Sequence, residues 1–269
     1  MSGLIKTEWL KLKKYLAFWL MLIALAIAYP GMNYMLYIEG YKDHLNDKTM
    51  GPILRMLPNP FTFPDAWHTV GFISSIFVFL PAVLVIMFIT NEYSFKTHRQ
   101  NIIDGWSRNQ FMMSKLIDVV IISLVVTLLY VITAFVIGTV NSSSETGEFW
   151  QGTKYIGLFL LQTLSQLSSA LLIALLVRKA FIALGIFLVY FFPIEPLLVE
   201  LGRKHANDAG EYLPLEISDR MIPFPRWFTR KESEWQSLME QSNEHVIYTV
   251  LMLIFTWGLC FLIYKKRDL

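Results

Sequence analysis

The side chains able to do chemistry in this chain are sparse and scattered. Five histidines (His44, His68, His98, His205 and His245) include no HExxH pair, the spacing that sets two imidazoles and a general base on one helix face. No GxSxG elbow presents a nucleophilic serine, and no GxxxxGK[ST] loop offers its amides to nucleotide phosphates. Cys260, the single cysteine, lies in an apolar run, which excludes an intrachain disulfide and a cysteine-rich metal site. The expected chemistry is therefore contact, not catalysis: no enzyme activity, and no cofactor or metal held by this chain. One segment is dense in groups suited to contact, a polar island at 91–115 between two apolar runs. Its Lys96, Arg99 and Arg108 can make charge-assisted bonds to carboxylates. Phe95, Ile102 and Ile103 have the i, i+7, i+8 relation of one helix face, with Lys96, Arg99, Gln100 and Asp104 around the rest.

The elements that must position this island are transmembrane helices. Of the 269 residues, 55% are hydrophobic and only 16% charged, against about 25% charged in soluble domains. The missing charge is absent from six blocks, 15–37, 70–90, 116–140, 155–177, 180–199 and 246–264. Each is about as long as a helix needs to cross hydrocarbon, and each is continuously apolar, unlike an alternating barrel strand. The expected fold is an all-α integral membrane domain of six spans occupying the whole chain. Lys6, Lys11, Lys13 and Lys14, the island, the Arg178-Lys179 turn and Lys265-Lys266-Arg267 all fall on one side of such a bundle. Positive residues mark the cytosolic side, so both termini are expected there, in the cell membrane. A net charge of +2 gives no reason to expect nucleic acid. The N-terminal segment also has features of a secretory signal, but its apolar character continues past Pro30, so it is expected to be retained.

Leu4, Ile5, Trp9, Leu12, Tyr15 and Leu16 share one helical face with Glu8 intruding, while Lys6, Lys11, Lys13 and Lys14 share the other with Leu10 intruding. That pattern predicts an amphipathic helix at the lipid surface, able to abut a cytosolic partner. In the island, a short helix is expected over 94–104, ended by Gly105. Ser107 and Gln110 then form a capping box that opens the next helix. Helix, glycine break and recapped helix make a rigid bent element.

Glu92, Thr97, Arg99, Ser107-Arg108 and Lys115 resemble, in order and spacing, the segment between spans two and three of ABC-2 type permeases, the membrane subunits of ATP-driven exporters. The amphipathic opening and the basic close are similar to that family as well. Lys96, and Gly105-Trp106 before the Ser-Arg pair, depart from residues common in it. The resemblance implies a permease that binds a separate cytosolic ABC ATPase, which supplies ATP and Mg, and a second permease copy. It implies a coupling helix seated in the ATPase, drawn from Glu92, Phe95, Lys96, Thr97, Arg99, Gln100, Ile102, Ile103, Asp104, Gly105, Ser107 and Arg108. An elbow helix (Lys6, Trp9, Lys11, Lys13) would pack beside it against membrane lipid. The alternative is an ATPase-independent carrier or an assembly scaffold, although paired intramembrane acids and internal repeats, the marks of a carrier, are absent.

Polar residues inside the spans are candidates for an export pathway: Asn33, Gln162, Gln166 and Glu195. Gln162, Ser165, Gln166 and Ser169 form a stripe that reads first as interhelical hydrogen-bond glue and second as a substrate-lining face. Pro193 and Pro196 are expected to break span five and open Glu195 to water. In the outer loops, 58–64 and 221–228 read as aromatic interface segments, and 229–232 reads as a capping box opening a helix with Trp235, Leu238 and Met239 on one face.

Overall fold

Continuously apolar runs leave the backbone no water to bond, so each closes its own hydrogen bonds as a helix. The computed structural model describes residues 2–48, 51–103, 105–142, 149–205, 208–228 and 232–266, and among them the regular elements are helical. We number the principal helices α1 (Ser2–Lys14), α2 (Leu16–Leu45), α3 (Asp65–Ser75), α4 (Phe79–Ser94), α5 (Thr97–Ile103), α6 (Arg108–Asn141), α7 (Lys154–Val177), α8 (Ala180–His205), α9 (Glu216–Asp219) and α10 (Glu232–Lys266). Five of them (α2, α6, α7, α8 and the part of α10 from Trp235) are long and apolar enough to cross a membrane. A sixth candidate is the pair α3 and α4, bent by 48° at residues 76–78.

Pro81 explains that bend. It has no N–H to give the Phe77 carbonyl, which accepts from Leu80 instead at 3.0 Å, and the chain tightens and turns. Helix α7 is the centre of the bundle, packing on α4, α6 and α10. The core runs from Leu12 and Phe18 through Val85, Ile122 and Phe159 to Phe187 and Cys260. Leu128, Phe181, Ile254 and similar side chains cover the outside, where lipid replaces water as the neighbour.

Several sequence expectations change here. The apolar blocks mark hydrocarbon, not helix ends, and the helices overrun them: α6 has 34 residues and α10 has 35. A helix does open at Glu232 and carries Trp235, Leu238 and Met239, but it continues as one rod, α10, into the last span; 229–231 lie outside the described residues. Span five is not broken. It passes Pro193 in a π-helical turn, Tyr190–Ile194, whose wider winding accommodates the missing N–H, and continues to His205. Glu195 is accordingly buried and not open to water. The island helix does not begin at 94: α4 runs to Ser94, Lys96 takes a left-handed φ of 56°, and α5 starts at Thr97. Phe95 therefore belongs to the end of α4 and shares no helix with Ile102 and Ile103.

At the end of the bundle opposite α1, the two aromatic outer segments meet. Phe61 lies 5.2 Å from the Tyr37 ring and 6.2 Å from Trp227. Phe63 packs on Gly138 of α6, where a Cβ would overlap the ring.

Candidate functional site

The end of the bundle carrying α1 is organised around one buried cation. Lys115, in the second turn of α6, is fully buried and places its ammonium 2.8 Å from Glu92 Oε1, 3.0 Å from Asp118 Oδ2 and 3.1 Å from Glu8 Oε2. Lys11 closes the cluster from its rim, 2.7 Å from Glu8 Oε1 and 3.2 Å from Glu92 Oε1. The rings of Phe88 and Phe111 flank the Lys115 ammonium at 5.5 and 5.3 Å. Burial works against the charge on Glu8, but Lys115 and Lys11 together hold its carboxyl below the usual range. Five charged groups thus tie α1, the end of α4 and the start of α6 into one unit. Breaking a buried pair by removing one partner costs about 3–5 kcal/mol, because the other charge is stranded.

On this unit sits α5. Thr97 donates to the Glu92 carbonyl at 3.2 Å, and His98 Nδ1 lies 3.1 Å from the same oxygen with its ring 4.7 Å from Tyr93. Burial lowers the His98 pKa, so its neutral form is favoured. Gly105, at φ 98°, leaves the helix as expected, and the Trp106 amide returns to Asn101 at 3.0 Å. The capping box is formed: Gln110 N–H donates to Ser107 Oγ at 3.2 Å, and the Ser107 amide donates to Gln110 Oε1 at 2.8 Å. Arg108 donates to the Lys265 carbonyl at 2.9 Å, Arg178 lies 4.9 Å over Tyr93, and Lys11 lies 5.7 Å over Trp106. These contacts bring the termini, the island and the 178–179 turn to one place.

Most of the expected contact residues line the outer face of this assembly. Lys96, Thr97, Arg99, Gln100, Gly105 and Ser107 are exposed, Ile102 and Arg108 are half-buried, and Asp104 lies outside the described residues. Phe95 and Ile103 are 76% and 84% exposed, large apolar groups left uncovered among charged neighbours. Glu92 is buried in the ion cluster. Lys6, Lys13 and Trp9 of α1 are exposed, with Trp9 meeting Phe18 edge-on at 6.2 Å.

Three of the four pathway candidates converge at the opposite end. Gln162 and Gln166 donate to Asp219 Oδ1 at 2.7 and 2.6 Å, and Gln166 donates to Ser218 Oγ at 3.2 Å. Glu195 Oε1 accepts the backbone amides of Leu215 and Glu216 at 2.7 and 3.0 Å, fixing the start of α9. Asn33 does not join them; it donates to the Tyr29 carbonyl of its own helix at 2.8 Å.

Sequence reasoning missed three members of these clusters. Glu8 stood out only as an intruder on an apolar face, Asp118 gave its i, i+3 relation to Lys115 as a signal, and Asp219 gave none.

Residues 4–194, well over half of the chain, match the family model described as ABC-2 family transporter protein. The chain belongs to the ABC-2 transporter family. No curated protein matches it. In this ABC-2 membrane protein the matched region contains the whole ion cluster and α5, and it stops one residue before Glu195.

Proposed function

We propose that the chain is the permease subunit of an ATP-driven exporter, with α5 as the coupling helix and α1 as the elbow helix. ATP is bound and hydrolysed on a separate cytosolic ATPase, and a second permease copy completes the pathway. With α3 and α4 counted as one span, six crossings leave both termini on one side, and the lysines and arginines of the termini, the island and the 178–179 turn support assigning that side to the cytosol.

The observation that carries this reading is the pairing of an exposed apolar-and-basic surface with a buried ionic anchor. Phe95 and Ile103 flank α5 uncovered, as interface anchors are before a partner arrives. Directly beneath, Lys115 joins α1, α4 and α6, so a push on α5 reaches three helices together. A solvated loop that merely obeys charge placement requires neither feature.

Co-purification of a cytosolic ABC ATPase with this chain tests the reading. Phe95→Asp with Ile103→Asp should remove the partner while the permease stays monodisperse in detergent. Met56→Asp with Trp150→Asp, at positions 86% and 76% exposed near the other end, should leave co-purification unchanged. Wild-type partner yield from the Phe95/Ile103 variant would end the proposal that α5 docks the ATPase.

A further inference from the structure

A cavity of about 620 Å³ opens near the end opposite α1, within the size range of sites for drug-sized ligands. It exists because two spans are irregular at the same level. The bend between α3 and α4 contributes Ser75, Ile76 and Phe79, and the π-helical turn of α8 contributes Phe191 and Phe192. Phe79 and Phe192 meet edge-on at 5.2 Å, and Phe72 and Phe224 lie 4.9 Å apart. The walls are therefore aromatic.

The floor is charged, and its charges are not balanced alike. Arg220 is bound by Asp208 at 3.0 and 3.1 Å, by Glu211 at 3.0 Å and by Glu216 at 2.8 Å. Arg203 faces Glu200 of its own helix at 3.7 Å. Asp219 also lines the cavity, but no ion pair among the described residues includes it; its partners are the neutral amides of Gln162 and Gln166, both on Oδ1. Its surface is open to the cavity while protein packs densely around it. Burial, with the charges of Glu216 and Glu195, raises its carboxyl to about 7. Two glutamine amides hold the carboxylate in position without neutralising it.

We propose that this cavity binds a cationic amphiphile of drug size, its ammonium or guanidinium on Asp219 and its apolar body against Phe72, Phe79, Phe191, Phe192 and Phe224. Among the described residues Arg220 is already held by three acids and Arg203 faces Glu200, so an anion would meet the Asp219 carboxylate at a disadvantage, and a neutral apolar body would leave that carboxylate uncompensated. A site of this volume excludes a folded peptide. Binding here needs neither ATP nor a partner, so it stands or falls separately from coupling at α5.

The test uses the full chain in phosphatidylcholine nanodiscs, with rhodamine 6G as the cationic probe and carboxyfluorescein as the anionic one. Fluorescence polarisation is read against empty nanodiscs. Wild type should bind rhodamine 6G saturably and carboxyfluorescein weakly or not at all. Asp219→Asn, which keeps an oxygen for Gln162 and Gln166, should weaken rhodamine binding about tenfold or more, the loss expected of one charge-assisted contact. Ser75→Trp, which fills the cavity and leaves Asp219 untouched, should abolish it. Adding phosphatidylethanolamine to the nanodiscs should leave dye affinity unchanged for a free amphiphile; competition would assign the ammonium to a lipid headgroup instead. Absent saturable binding in wild type, wild-type affinity in Asp219→Asn, or wild-type affinity in Ser75→Trp would each overturn the proposal.

Discussion

The two ends of this molecule each gather acidic side chains and handle them in opposite ways. At the α1 end, Glu8, Glu92 and Asp118 converge on Lys115, and Lys11 supports two of them. At the other end, Asp219 rests on two glutamine amides and is in no ion pair among the described residues, with the acids Glu216 and Glu195 acting on it and Arg220 held by other acids. A carboxylate supplied with its cation within the chain is structural and resists change. A carboxylate held by neutral donors keeps its demand for a cation. The first arrangement suits transmission of force, the second suits reception of a ligand.

Removing Lys115 should produce the largest effect. Lys115→Met strands Asp118 and leaves Glu8 and Glu92 to Lys11 alone, and should lower stability by about 3–5 kcal/mol. Thermal unfolding in detergent should show it, and a variant as stable as wild type would break the contrast at its stronger end. A smaller, pH-dependent effect belongs to Asp219. Its folded pKa of about 7 lies above the unfolded value of about 4, so the native state holds the proton more tightly. The stability this contributes is full below about pH 4 and is lost as pH rises through about 7. Relative to Asp219→Asn, wild type should therefore lose thermal stability between pH 5 and pH 8. Glu216 and Glu195 are common to both proteins, so the difference isolates Asp219. Parallel profiles would mean that its environment is no more demanding than water.

What was legible in the sequence was local. Ser107 and Gln110 are three residues apart, and their capping box needs only each other. Gly105 announces its positive φ by lacking a Cβ. Apolar blocks located the candidate spans because hydrocarbon thickness fixes a length, but they missed helix ends, which polar residues at the interface extend freely. Lys96 at φ 56° carries no residue-type signal, so the join between α4 and α5 was misplaced. Glu8 and Lys115 are 107 residues apart, and only the packing of α1 on α6 reveals them as a pair. The glutamine stripe of α7 was visible as polar periodicity, yet its partner Asp219 lies in the segment between α8 and α10, beyond any pattern.

The ion cluster's proposed role in transmission is tested most directly by connecting the two ends. In a Cys260→Ser background, a single cysteine at Ser75 reports access to the cavity through its rate of maleimide labelling. With the ATPase bound in proteoliposomes, ATP and vanadate should change that rate severalfold. Glu8→Gln with Asp118→Asn leaves Lys115 paired to Glu92 and the ATPase still docked on α5, and it should remove the ATP-dependent change. A wild-type response in that variant would contradict the claim that the cluster carries motion from α5 into the spans.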